Sequence, residues 1–378
     1  LSGTERECMR AGRPRSRGAL LPNALAPRGG ARRLAGLQPC RCGRAVTLRV
    51  ALRRPSCSFV DNSFFFCSGQ DSLPSMIRRR PSPGFATVLT GLLLFGVVAV
   101  HHSGQNLRLS GDRALSHVER LVSYGPRPPA SPGIKKAQEY ITGVLRRLSL
   151  EVEHQNFLAS TPNGNLPMKN IIGRSQVEKG KVVILASHYD THLMTNRVFL
   201  GANDGGSSVG LLLELARVLS RRQPDFSLWF VFFDGEEAQK AWSPTDSLYG
   251  SRYFVQRLRA RGQTGRIKAM ILMDMVGDKD LVLENDLNST PWLMRLVRDS
   301  ASELGFGEHL SGNPKAVEDD HIPFTEVGIP AVDLIDFEFG PNNRYWHTPQ
   351  DTLDKISPRS MERVGQIVLR TLEKLSAR

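Results

Sequence analysis

Residues 182–187, VVILAS, form a short run that is apolar up to its last position and is followed directly by His188. Continuous apolar runs of this length are typical of strands that are buried on both faces of a parallel sheet. Two further runs have the same form and lead to an acidic residue: LWFVFFDG at 228–235, before Glu236, and AMILM at 269–273, before Asp274. Because ligands bind at the carboxyl ends of the strands in an open parallel α/β sheet, the three runs predict one shared site.

Strands and helices alternate from residue 206 onward, which predicts an α/β fold with three layers: a mainly parallel sheet covered by helices on both faces. The predicted elements are helix 206–220, strand 227–233, helix 247–260, strand 268–274, helix 291–304, strand 331–335 and helix 357–376. Two helices, one from about Asp112 and one over 134–148, are predicted to come first. The strand-like segments 151–157, 168–173 and 180–187 follow without intervening helices, and we expect them to add an antiparallel edge to a mixed sheet.

The positive charge of the chain is concentrated at its beginning. Of the formal net charge of +13, residues 1–75 carry +9 and the arginines at 78–80 carry +3, so the remaining residues carry +1. A nearly neutral folded region offers no basic surface that could follow phosphates, and we therefore expect no nucleic-acid partner. All five cysteines precede Met76, so the folded region needs no disulfide framework.

The composition divides the chain into three regions. Residues 1–75 are rich in Arg, Gly, Pro and Ser, and we expect either a disordered leader or an over-extended reading frame with translation starting at Met76. Residues 76–106 contain a basic start, an apolar stretch at 85–100 and a polar exit, which is the pattern of an export signal. An uncleaved membrane anchor is favoured over a cleaved signal, with the folded domain, residues 107–378, outside the cytoplasm in a periplasm or secretory lumen.

Six residues that follow predicted strands or lie on adjoining loops are candidates for a metal site: His188, Asp204, Glu236, Glu237, Asp274 and His347. Each has an ordinary alternative when it is taken alone; Asp204, for example, could cap the helix that begins near residue 206. Together, carboxylates and imidazoles without a thiolate favour a catalytic zinc or a related divalent ion.

Glu236 and Glu237 are adjacent, and two neighbouring side chains in an extended turn cannot point the same way. One of them can bind a metal while the other reaches the substrate. This arrangement supplies a ligand and a general base within one short segment, as metal-assisted carbonyl chemistry requires.

Over residues 107–378 the ordered motifs resemble those of the superfamily of zinc aminopeptidases and glutaminyl-peptide cyclotransferases. The motifs are YGPRPPASPG, SHYD, GANDGGSS, FFDGEE, MDMVGD, EDDHIPF and YWHTPQDT. The resemblance to the aminopeptidases implies two zinc ions, with His188 and Asp274 on separate metals and Asp204 bridging them. It also implies that Glu237 and His347 complete the ligands, that Glu236 activates water, and that Asp190 orients His188.

The segment after Glu237 favours the cyclotransferase branch, because WSPTDSLYGSR resembles the glutaminyl cyclase signature, as do EDDHIPF and the tryptophan before His347. That resemblance implies one zinc held by Asp204, Glu237 and His347. It further implies an acid network in which Asp274 and Asp319 join Glu236, the catalytic acid–base group. Trp242 and Trp346 would form a narrow substrate pocket, although ordinary packing is the alternative for both.

The predicted activity is cyclisation of N-terminal glutamine in peptides and proteins to pyroglutamate with release of ammonia, by a monomeric enzyme. A dizinc aminopeptidase that releases N-terminal residues stays open as the alternative, because GANDGGSS and HTPQDT are closer to the corresponding motifs of the peptidases. A non-catalytic binding domain on the same fold is disfavoured, since relatives of that kind typically lose metal ligands.

Overall fold

The computed structural model describes residues 108–175, 180–222, 224–310 and 312–378. The expected leader at 1–75 and the expected export or anchor segment at 76–106 lie outside the described residues. None of the helices within the described ranges is both long enough and apolar enough to cross a bilayer.

Eight strands and seven α-helices make up the described part of the chain. The strands are β1 Glu151–Thr161, β2 Gly164–Arg174, β3 Val182–His188, β4 Ser227–Phe233, β5 Ile267–Asp274, β6 Asn285–Asp286, β7 Pro314–Lys315 and β8 Ala331–Ile335. The helices are α1 Gly111–Val122, α2 Pro132–Arg147, α3 Ser207–Leu219, α4 Tyr249–Ala260, α5 Pro291–Glu303, α6 Ile322–Glu326 and α7 Pro358–Ser376.

Six of the strands form one mixed sheet in the order β1-β2-β4-β3-β5-β8. The β1–β2 and β2–β4 pairs are antiparallel, whereas β4, β3, β5 and β8 run parallel to one another. This topology confirms the predicted three-layer α/β fold with its mainly parallel sheet.

The expected antiparallel edge is right for 151–157 and 168–173 but wrong for 180–187. That segment is β3, which lies between β4 and β5 and is parallel to both. All seven residues of β3 are buried. A strand with no polar face needs cover on both sides, which the centre of a sheet provides and an exposed edge does not.

Apolar side chains cover the sheet on both faces. On one face, Val183 and Leu185 of β3 belong to a core shared with α1, α2, α3, α5 and α7. On the other face, Ile184 of β3 joins a smaller core in which Phe254 of α4 and Phe324 of α6 are buried. Each fully buried side chain of this size contributes about 1.5–3 kcal/mol, so the two cores fix the strands and their ends.

The loop before α3 brings Asp204 against the end of β3. Gly205 has a φ of 65°, and a Cβ added there would lie 2.3 Å from the carbonyl oxygen of Asp190. Glycine is therefore required at this close approach. The helix then begins at Ser207, one residue after the predicted start.

Candidate active site

The parallel strands end at one edge of the sheet and deliver their last side chains there. His188 is the last residue of β3, Asp274 is the last residue of β5, and Glu236 follows β4 after a turn at Gly235, whose φ is 73°. The prediction that the three apolar runs lead to one place is therefore met in the geometry of the sheet.

Asp204 lies between two histidines that are far apart in the sequence. Its Oδ1 is 3.4 Å from His188 Nε2, and its Oδ2 is 3.2 Å from His347 Nε2. His188 Nε2 also lies 3.1 Å from Asp274 Oδ1, and His347 Nε2 lies 3.1 Å from Glu237 Oε1. The structure thus gathers all five predicted ligands into a continuous cluster, here called the metal cradle.

Two groups within this region have ligand atoms that all lie within 4.8 Å of one another. One is His188, Asp204 and Asp274; the other is His192, Glu237 and His347. His192 was not among the predicted site residues. Its Nδ1 lies 3.0 Å from Glu237 Oε2, and its ring stacks on that of His347 at 4.3 Å between centroids. The signal for His192 was its place four residues after His188, in the loop that leaves the same strand.

The chemistry of the donors fits a zinc ion. They are carboxylate oxygens and imidazole nitrogens, which are the usual ligands of catalytic zinc when thiolates are absent. Asp204 Oδ2 is buried, and its neighbour in the cradle is the imidazole of His347, with Nε2 3.2 Å away. A zinc ion that takes one oxygen from a buried carboxylate and one nitrogen from a neutral imidazole would satisfy both.

The carboxylates set the protonation of the cradle. Burial alone would lower the pKa of His347, but the Glu237 and Asp204 carboxylates raise it to about 10. Burial raises the pKa of Glu237, but the charge of His347 together with hydrogen bonds from His192 and His347 holds it below its ordinary value. The oxygen atoms of Glu237 therefore stay ionised and available to a cation.

Asp190 supports the site from behind. Its Oδ1 accepts a hydrogen bond from the backbone N–H of Glu236 at 3.1 Å, and its Oδ2 accepts one from the N–H of Glu237 at 3.3 Å. The Oδ1 atom also lies 3.5 Å from His188 Nδ1. One carboxylate thus lies beside the imidazole of His188, as expected, and also holds the backbone of the Glu236–Glu237 segment.

Sequence reasoning missed two buried residues that hold the loop carrying Asp204. Asp351 accepts hydrogen bonds from the backbone N–H groups of Asn203 at 2.7 Å and of Asp204 at 3.1 Å. The guanidinium of Arg127 donates to the backbone carbonyls of Leu200 at 2.8 Å and Gly201 at 2.9 Å. The faint signal was their place within two of the motifs, YGPRPPASPG and HTPQDT.

Glu236 is buried among other acids. Burial raises its pKa well above the ordinary value, the charge of His188 opposes this, and the charges of Glu237 and Asp319 reinforce it. Burial and the charge of Asp274 likewise raise the pKa of Asp319. The hydrogen bonds of the described residues include none that joins Glu236 directly to Asp274 or Asp319. The charge of Asp319 acts on Glu236, and that of Asp274 acts on Asp319. A carboxylate with a raised pKa binds a proton more readily than an ordinary one, which suits it to proton transfer.

A cavity of about 440 Å³ opens onto the metal cradle. Trp242 and Trp346 line it, together with the apolar side chains of Val317, Ile335 and Phe337. The Trp346 ring stacks on His347, with 4.1 Å between ring centroids, and packs against Phe337 at 5.1 Å. The cavity has the size and the mixed lining of a small-ligand site.

Trp242 reaches the cavity from residues 238–248, here called the tryptophan loop. Its side chain is 41% exposed, and its Nε1–H donates to Glu318 Oε2 at 3.0 Å. Glu318 directly precedes the buried Asp319. Both predicted tryptophans therefore lie at the cavity: Trp346 packs against His347 and Phe337, and Trp242 is partly exposed.

The sequence matches the model of Peptidase family M28 over residues 170–372. It is 32% identical to the glutaminyl-peptide cyclotransferase of Bos taurus over 278 residues, which cover 64% of this chain and 76% of that protein. The glutaminyl-peptide cyclotransferase of Drosophila melanogaster is also 32% identical, and the match covers 64% of this chain and 75% of that protein.

Solved structures of the same fold include both branches. The crystal structure of Acidobacteriales bacterium glutaminyl cyclase is 39% identical and superposes with a TM-score of 0.69, covering 71% of this chain and 96% of that one. A Zn-dependent exopeptidase from Parabacteroides distasonis is 27% identical with a TM-score of 0.65, covering 72% of this chain and 99% of that one. The chain belongs to peptidase family M28 and, within it, resembles the glutaminyl-peptide cyclotransferases.

Proposed function

We propose that this protein is a zinc-dependent acyltransferase that cyclises the N-terminal glutamine of peptides and proteins to pyroglutamate and releases ammonia. The observation that carries the proposal is a cavity that joins the metal cradle, the buried side chain of Glu236 and two indole side chains. The cyclotransferase names of the most similar relatives support the same activity.

Asp204, Glu237 and His347 would hold one zinc ion. When bound, zinc polarises the side-chain amide of the substrate glutamine and makes its carbon more electrophilic. His188 and Asp274 offer ligands for a second ion, as the aminopeptidase alternative requires. Measuring zinc per chain by elemental analysis distinguishes one ion from two.

Glu236 would move the proton. The α-amine of the substrate attacks the side-chain amide carbon, forming the ring C–N bond while the bond to the amide nitrogen breaks. Glu236 accepts a proton from the attacking amine and delivers one to the departing ammonia. The nucleophile is part of the substrate, so holding both ends of the residue in the cavity supplies much of the rate enhancement.

The neighbouring acids tune Glu236. Asp319 adds negative charge close to it, and Asp274 in turn raises the pKa of Asp319. The charge of Asp319 favours the protonated form of Glu236 and would help it to hold the proton between the two transfers. Trp242 and Trp346 would enclose the glutamine side chain and exclude water, which would otherwise compete as a nucleophile.

The direct test incubates the protein and zinc with a peptide that begins with glutamine and follows its mass. Cyclisation removes the mass of one ammonia and leaves the chain length unchanged, whereas an aminopeptidase releases free glutamine and shortens the peptide. Release of free glutamine without cyclisation would replace the proposed activity with that of an aminopeptidase.

We also propose that the protein is exported and held at a membrane by residues 76–106, and that it acts as a monomer. The basic start and the apolar stretch at 85–100 support the first proposal. Protease protection of the catalytic domain in sealed membranes, with N-terminal sequencing of the mature protein, tests it. Light scattering of the purified protein tests the second.

A further inference from the structure

The two ends of the tryptophan loop are buried, but burial cannot hold its middle in place. Its residues from Lys240 to Thr245 are exposed or half-buried, including Trp242 itself. An exposed loop of this length has many accessible conformations, and each residue that is fixed costs about 1–2 kcal/mol of entropy. Another interaction must therefore fix the loop if Trp242 is to stand at the cavity.

Asp246 supplies that interaction. Its side chain is buried, and its Oδ1 accepts hydrogen bonds from the backbone N–H of Gln239 and the hydroxyl of Tyr249, both at 2.8 Å. Its Oδ2 accepts from the backbone N–H groups of Lys240 at 2.9 Å and Ala241 at 3.0 Å. A carboxylate has about four acceptor positions, and all of them are used here.

The loop closes back on the active site. The N–H of Leu248 donates to the carbonyl oxygen of Glu236 at 2.8 Å, and the N–H of Tyr249 donates to that of Gly235 at 2.8 Å. Arg252 donates to the carbonyls of Pro244 and Ser247 and braces the same turn. The backbone around Asp246 is thus tied to the segment that carries the general base.

We propose that Asp246 is a positioning residue for substrate binding: its carboxylate folds the tryptophan loop so that Trp242 forms one wall of the glutamine pocket. Asp246 is absent from the residues that line the cavity and acts through the three N–H groups directly before Trp242. The hydrogen bond between Trp242 and Glu318 then fixes the far end of the indole. This inference rests on the proposed function, because it assigns Trp242 to the glutamine side chain.

Asp246→Asn tests the inference with little change of shape. Asparagine has one acceptor oxygen, and its NH2 group would face N–H donors, so part of the hydrogen-bond set is lost. We expect KM for a glutamine peptide to rise roughly tenfold, in line with the loss of charge-assisted hydrogen bonds. The value of kcat should stay within about threefold and zinc content should be unchanged. Tyr249→Phe removes one of the bonds and should raise KM by a smaller factor.

A double mutant separates positioning from general destabilisation. If Asp246 acts through Trp242, adding Asp246→Asn to Trp242→Ala should leave KM at the value of Trp242→Ala alone. Glu214→Gln is the matched control, because Glu214 is a fully buried carboxylate that accepts from the N–H of Ser110 on a different part of the domain. It should lower the melting temperature without raising KM.

Acrylamide quenching tests the loop without any catalytic assay. The fluorescence of Trp242 is the difference between each protein and its Trp242→Phe counterpart. Acrylamide should quench this fluorescence more strongly in Asp246→Asn than in the wild type. An unchanged KM and quenching in Asp246→Asn, or a KM effect that multiplies with that of Trp242→Ala, would overturn the inference. If wild-type protein cyclises no glutamine peptide, the proposed function fails, while the quenching result still decides whether Asp246 positions Trp242.

Discussion

The metal cradle and the tryptophan loop line the same cavity, and buried carboxylates hold the backbone of both, but the two regions differ in burial. His188 and Asp274 end buried strands, and the buried carboxylates of Asp190 and Asp351 accept from the backbone N–H groups of Glu237 and Asp204. The tryptophan loop gathers its backbone around Asp246 in the same way, but its residues 240–245 are exposed or half-buried. The difference indicates that the buried core fixes the positions of the metal ligands and Glu236, whereas the tryptophan loop shapes one wall of the cavity. Such a loop can change without changing the sheet.

The largest effect is expected in the cradle, at the proton-transfer group. Glu236→Gln keeps the size of the side chain but cannot accept and return a proton, so kcat should fall by about two to four orders of magnitude. Elemental analysis should show the same zinc content as in the wild type. Near-normal turnover of a glutamine peptide by this variant would remove Glu236 from the mechanism.

The next effect concerns the support of the cradle. Asp351→Asn weakens the hydrogen bonds to the backbone N–H groups of Asn203 and Asp204 and should lower zinc affinity by about 10- to 100-fold, which is typical of changes behind a metal ligand. Competition with a chromogenic chelator measures this affinity. Wild-type affinity would show that the loop around Asp204 is held by other contacts, such as those of Arg127.

Comparing the two tryptophans separates the cradle from the loop. Trp346 stacks on His347, so Trp346→Ala should disturb both substrate binding and the metal ligand, raising KM and lowering kcat. Trp242 makes no such contact with the cradle among the described residues, so Trp242→Ala should raise KM about tenfold with kcat nearly unchanged. Steady-state kinetics of both variants measure these effects. Equal effects on kcat would contradict the proposed difference between the two tryptophans.

The smallest expected effect is that acid pH loosens the tryptophan loop. Burial would raise the pKa of Asp246, but hydrogen bonds from the N–H groups of Ala241 and Gln239 hold it below its ordinary value. The carboxylate therefore stabilises the loop above its unfolded-state pKa of about 3.9, and this stability is lost as pH falls through the lower folded-state pKa.

Fluorescence of zinc-free protein measures this change apart from metal release. Acrylamide quenching of Trp242 should increase below about pH 4 in the wild type, with little further change in Asp246→Asn. Tyr249 and Arg252 also face this carboxylate, but both keep their protons throughout that range. A pH response of equal size in Asp246→Asn would assign the transition to another group.

Much of the site could be predicted because strand ends are visible in the sequence. The apolar runs before His188, Glu236 and Asp274 gave the strands and their direction, and parallel strands end at one edge. His192 escaped notice because one histidine in a loop carries no periodic signal. The loop residues Asp351 and Arg127 were missed because their hydrogen-bond partners lie 62–148 positions away along the chain.

The amino-acid sequence by itself determined the alternation of strands and helices, the buried character of β3 and the kinds of ligand available at the strand ends. Those properties depend on local composition and period, which a linear chain displays directly. The tertiary structure alone decided that β3 lies between β4 and β5, that Asp204 turns one oxygen to each of two histidines, and that Asp246 gathers the tryptophan loop. Each of these depends on the direction in which a side chain or strand meets its partners, and direction is fixed only when the whole domain packs.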